Sequence, residues 1–132
     1  MAGIGGERTL TRPVPGAQFG TMLTVHTTPA VTAEPLRGWH LTFWLGEAFD
    51  YQIPFRAALA EIVSILGQAK PTNIALPNFL EGEDFVEGQL SFGNATIGIY
   101  YEYSLGYLSL DSEDRAPLDQ IEALTRPFVR TT

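Results

Sequence analysis

Few side chains in this 132-residue chain combine a reactive type with a useful spacing. The carboxylates gather in two places. Glu81, Glu83, Asp84 and Glu87 fall in one short stretch with no basic residue among them, and Asp111, Glu113 and Asp114 follow in another. Neighbouring carboxylates can divide acid and base roles, but a like-charged run more commonly makes a solvated surface. Of the two histidines, His26 and His40, neither has a second histidine or a carboxylate at metal-ligand spacing, and no His-Glu-x-x-His helix occurs. Cysteine is absent, which excludes a disulfide framework, a zinc–thiolate site and a thiol nucleophile and fits a reducing cytoplasm. The Gly-Ile-Gly-Gly at 3–6 lacks the strand and helix that would flank a dinucleotide loop, and neither a phosphate-binding loop nor a Gly-x-Ser-x-Gly elbow is present. Asn94-Ala-Thr96 matches the glycosylation triplet but reads as a turn, because the start of the chain has no apolar stretch of the signal-peptide kind. No catalytic residue, metal or cofactor is expected.

The net charge is −7, Lys70 is the single lysine, and the arginines are scattered. Nucleic-acid binding needs clustered positive charge to neutralise phosphates, so the balance argues against it and fits a basic partner. No apolar run approaches the ~20 residues of a membrane span.

The elements that must position these groups follow from periodicity. Residues 1–18 read as an extended or flexible lead-in and 19–132 as a single domain. A first strand is expected at 19–25 and a proline-containing loop at 27–38. Trp39, Leu41, Phe43 and Leu45 alternate, as do Phe49, Tyr51 and Ile53, which predicts a hairpin joined by Gly46–Ala48. From Pro54 the period becomes helical, with Phe55, Leu59, Ile62 and Leu66 on one face and Gly67 expected as a left-handed cap. A short strand is expected near 73–76. Strands at 85–92, 95–103 and 107–110, with a type II′ turn at Gly93-Asn94 and a tight connection at Ser104–Gly106, make a three-stranded meander. A last helix is expected with Asp114 as its cap, Pro117 in its first turn, Leu118, Ile121, Leu124 and Phe128 as its apolar stripe, and Pro127 ending it or fraying its last turn. The fold class is α+β: an antiparallel sheet, hairpin plus meander, with two helices packed on one face.

The other face of such a sheet is left to solvent or a partner. Alternation places His40, Thr42 and Trp44 there, together with Tyr100 and Glu102. Tryptophan and tyrosine offer large area with few rotamers and concentrate at binding hot spots; packing across strands and a homodimer through this face are the competing accounts. Of the tyrosines in Ile99–Leu110, Tyr101 and Tyr103 share the face of Ile97 and Ile99 and belong to the core. Tyr100 points the other way, and the face of Tyr107 depends on register.

The hairpin-like GWHLTFWLGEAFDY and the meander FGNATIGIYYEYSLGYLSLDSED, in a small, acidic, cysteine-free α+β chain, resemble immunity proteins of bacterial polymorphic toxin systems over residues 38–128. The resemblance implies a non-enzymatic, cytoplasmic role: covering the active or substrate site of a cognate, cationic toxin or effector domain. It carries over no individual residue. The residues expected to bind are Trp44, His40, Tyr100 and Glu102, with the carboxylates Glu81, Glu83, Asp84, Glu87, Asp111, Glu113 and Asp114 steering a cation. A dimeric secretion chaperone and a small-molecule-binding domain with a pocket near Tyr51 or Tyr101 are the alternatives.

Overall fold

The computed structural model describes residues 23–36 and 38–132. The expected lead-in at 1–18 and the opening of the strand at 19–25 lie outside the described residues. The elements run β1 (Leu23–Val25), β2 (Val31–Glu34), β3 (Gly38–Trp44), α1 (Phe55–Leu66), β4 (Thr72–Ala75), β5 (Phe85–Phe92), β6 (Ala95–Glu102), β7 (Tyr107–Ser112), α2 (Arg115–Thr125), a 3-10 turn (Arg126–Phe128) and β8 (Val129–Thr131). A six-stranded antiparallel sheet has the order β2-β3-β7-β6-β5-β4, and β1 pairs in parallel with β8 in a separate two-stranded ribbon.

The helices pack against one face of the large sheet, as the α+β expectation required. Phe55, Leu59, Ile62 and Leu66 of α1 and Leu118 and Ile121 of α2 are fully buried against Leu41, Phe43, Leu90, Ile97, Leu108 and Leu110. Each such side chain contributes about 1.5–3 kcal/mol by leaving water. Tyr101 and Tyr103 join this core: Tyr101 stacks on Phe55 at 4.5 Å, and Tyr103 meets the same ring edge-on at 5.0 Å. The helix at 115–125 starts from Asp114 at the expected N-cap position, but the Asp114 side chain makes no capping hydrogen bond; its N–H donates to Ser112 Oγ at 3.1 Å. Gly93 has φ 59 and Asn94 does not share that sign, which agrees with the type II′ turn expected there.

Three expectations need correction. Residues 49–53 do not pair with β3. Phe49 takes φ 63, and the Asp50 side chain accepts the Gln52 N–H at 2.9 Å, an Asx turn that ends any extended run. Of the alternating Phe49, Tyr51 and Ile53, only Ile53 is buried. The partners of β3 are β2 on one side and β7 on the other, with Trp39 opposite Ser112 and Trp44 opposite Tyr107. The segment 27–38, expected as a loop, supplies the edge strand β2. Gly67 ends α1 in right-handed geometry (φ −64), its N–H donating to the Val63 carbonyl at 2.8 Å, so no left-handed cap forms.

The connection after β3 folds onto the β6–β7 turn. Leu45 and Gly46 both donate their N–H to the Gly106 carbonyl, at 3.0 and 3.2 Å. Gly106 has φ 77, and a Cβ there would lie 2.5 Å from the Gly46 carbonyl oxygen, so both backbone shape and close approach require glycine.

Candidate functional site

Among the described residues no helix lies on the second face of the large sheet. Because strand side chains alternate, that face collects the residues out of phase with the core. Register then sets them in rows across the strands. Trp44, Tyr107, Glu102 and Phe85 form one row, and Thr42, Ser109, Tyr100 and Glu87 the next. His40, Asp111, Gly98 and Gln89 form the third. The Trp44 and Tyr107 rings meet edge-to-face at 4.7 Å, and the Phe85 and Tyr100 rings lie 6.2 Å apart.

Carboxylates sit between these rings. Tyr100 and Ser104 donate their hydroxyls to the two oxygens of Glu102, and Ser109 donates to Asp111 Oδ1 at 2.7 Å. The Ser104 and Tyr100 hydrogen bonds hold Glu102 below the usual carboxylate range. The same bond to Glu102, with burial adding to it, pushes the Tyr100 hydroxyl up to about 12. Burial raises Tyr107 as well, with the charges of Glu102 and Asp111 adding to it. At neutral pH an ionised Glu102 therefore sits beside the neutral phenols of Tyr100 and Tyr107. Between the rows lies a groove of about 560 Å³ lined by Glu34, His40, Glu87, Gly98, Tyr100 and Asp111, among others. Gly98 leaves the groove open, because a Cβ there would meet nothing closer than Asp111 Cβ at 3.7 Å.

The expected binding residues divide by position. His40, Trp44, Glu87, Tyr100, Glu102 and Asp111 share the open face. Glu81 and Asp84 are exposed in the connection before β5, next to the β6–β7 turn. Glu113 and Asp114 lie beyond the far end of β7, at the start of α2, so the two acidic groups do not merge; only Glu87 and Asp111 converge across the strands.

Glu83 departs from the expectation of a solvated acidic residue. Its side chain is 8% exposed and lies on the helix side of the sheet. It accepts Arg56 Nη2 at 2.9 Å and Arg56 Nε at 3.2 Å in a bidentate pair, and the Tyr101 hydroxyl at 2.8 Å. Burial alone would raise its pKa, but the Arg56 and Tyr101 hydrogen bonds outweigh burial and hold it low. Burial, then the bond to Glu83, pushes Tyr101 above its ordinary value.

Sequence reasoning missed Phe85 and Ser109 as members of this face and left Tyr107 undecided, whereas it placed Gly98 here by parity. Phe85 was detectable, since it is out of phase with Val86, Leu90 and Phe92, which are buried. Tyr107 was not, because its face follows from pairing with Trp44 far away in the chain.

Among the described residues no group of three or more His, Asp and Glu side chains could hold a metal ion, and no helix is long and apolar enough to cross a membrane. No family model, curated protein or solved structure matches the chain.

Proposed function

We propose that this chain is a non-enzymatic binding protein of the toxin-immunity kind, whose open sheet face covers a cationic site on a cognate toxin or effector domain. One observation carries it. Glu87, Glu102 and Asp111 are set among the rings of Trp44, Tyr100 and Tyr107, and among the described residues no lysine or arginine forms an ion pair with these carboxylates. Aromatic area supplies affinity, and complementary charge speeds encounter and rejects wrong partners. The net charge of −7 adds a long-range field of the same sign.

The test is co-expression with the basic polypeptide encoded next to this chain in its native genome. Wild-type chain restores growth of cells producing that polypeptide, whereas Glu87→Gln combined with Glu102→Gln restores it poorly despite equal folded yield. Full protection by the double variant, or a neighbouring product that is neither toxic nor bound, overturns the proposal.

A further inference from the structure

The proposed interface leaves one feature unused: the end of the sheet at the β6–β7 turn. Three connections meet there, residues 45–53, 77–84 and 103–106. The Phe49 N–H donates to the Tyr103 carbonyl at 2.7 Å, and the Tyr103 N–H donates to the Asp84 carbonyl at 3.0 Å. Arg56 joins the group by donating to the Pro77 carbonyl at 3.0 Å as well as to Glu83. The connections are therefore bonded to each other, yet they expose large apolar side chains. Phe49 is 68% exposed, Phe79 61% and Leu80 70%, with Phe85 and Tyr51 close behind and Leu105 less exposed. Such a concentration on one end of a small chain marks an interaction site.

Phe49 adds an independent sign. Its φ of 63 is costly for a bulky L-residue, and glycine or asparagine would adopt it more cheaply. An aromatic ring kept on strained backbone and pointed at solvent contributes little to folding, and strain of this kind clusters at functional sites.

Charge decides the occupant. Glu47, Asp50, Glu81 and Asp84 are exposed on the same connections. Among the described residues the cation at this end is Arg56, already paired with Glu83 and lying over the Phe79 ring at 5.6 Å. A second copy of this chain, an anionic bilayer or a nucleic acid would bring negative charge against these carboxylates.

We infer that this end anchors the interface by taking an amphipathic, basic segment of the partner, whose apolar side chains seat among Phe49, Tyr51, Phe79 and Leu80 while its lysines or arginines meet the surrounding carboxylates. The inference rests on the proposed role as a binder of cationic protein and names where that binding is anchored.

The experiment titrates isotope-labelled full chain with three 14-residue peptides patterned as amphipathic helices, followed by amide chemical shifts. One is built of Leu and Lys, one of Ser and Lys, and one of Leu and Glu. The Leu/Lys peptide is expected to bind, with shifts concentrated at 47–51, 79–85 and 103–106. Phe79→Ser should weaken it at least about tenfold, as loss of an aromatic anchor does. Phe49→Gly should weaken it similarly while the melting temperature holds or rises by about 3–5 °C, because strain is relieved; a variant that merely failed to fold would do the opposite. Equal binding of the Ser/Lys peptide, with shifts in the groove around Asp111, overturns the anchor but leaves the acidic-face proposal standing. Equal binding of the Leu/Glu peptide, or dimerisation that Phe49→Gly abolishes, overturns the choice of occupant. Silence towards both cationic peptides overturns the anchor and the acidic-face proposal together.

Discussion

Tyr100 and Tyr101 are neighbours in one strand, and each donates its hydroxyl to a glutamate, on opposite faces of the sheet. On the helix side, Tyr101 and Glu83 are completed by Arg56, whose guanidinium closes the set with two further hydrogen bonds. On the open side, Tyr100 and Glu102 are completed by Ser104, and no arginine or lysine among the described residues pairs with Glu102. The inner set is a finished ion pair that fastens the 77–84 connection to α1. The outer set has the same carboxylate and phenol but, among the described residues, no cation. What differs between them is the source of the positive charge: the chain itself supplies it inside, and under the proposed function a partner would supply it outside.

The two sets can be broken separately. The largest effect is expected from Glu83→Ala, which leaves Arg56 and the Tyr101 hydroxyl without their acceptor in a largely buried site. Urea unfolding should show a loss of about 3 kcal/mol. Next comes Glu102→Gln, which should weaken partner binding at least about tenfold and lower the urea midpoint far less than Glu83→Ala does, because its carboxylate lies at the surface.

Acid sharpens the contrast. The folded-state pKa of Glu83 lies below its ordinary value of 4.5. Its contribution to stability is therefore complete above that value and is lost as pH falls through the lowered one. Stability measured against pH should decline in this window for the wild type and less steeply for Glu83→Ala. Tyr100 works in the other direction. Its folded-state pKa is raised to about 12, so its contribution is complete below 10 and is lost as pH rises through about 12. In Glu102→Gln the Tyr100 ring-carbon NMR signal should titrate closer to 10, the smallest of these changes, because burial still holds part of the shift.

Local pattern carried the parts of this fold whose partners are close in sequence. The β5–β6–β7 meander and both helices were legible because period-2 and period-3.6 runs are bounded by Gly93, Gly106, Pro54 and Pro117. The false hairpin at 39–53 shows the limit. Phe49, Tyr51 and Ile53 alternate, but an Asx turn at Asp50 and the left-handed backbone at Phe49 override alternation, and β3 instead pairs with β7, some seventy residues on. Strand β2 escaped notice because an edge strand of four residues, none of them buried, leaves little hydrophobic trace. The site divided in the same way. Tyr100, Glu102, His40 and Trp44 could be assigned to a face by parity alone. Glu83 could not be separated from its acidic neighbours, because the arginine that claims it lies 27 residues earlier.

The most direct test of the outer set is the dissociation constant of Glu102→Gln for the basic domain proposed as the partner, measured by calorimetry at neutral pH and low salt. The account predicts a rise of at least about tenfold, with a shallower dependence on salt than the wild type shows. A constant equal to that of the wild type would contradict it, because the carboxylate left without a cation on the open face would then have no part in holding the partner.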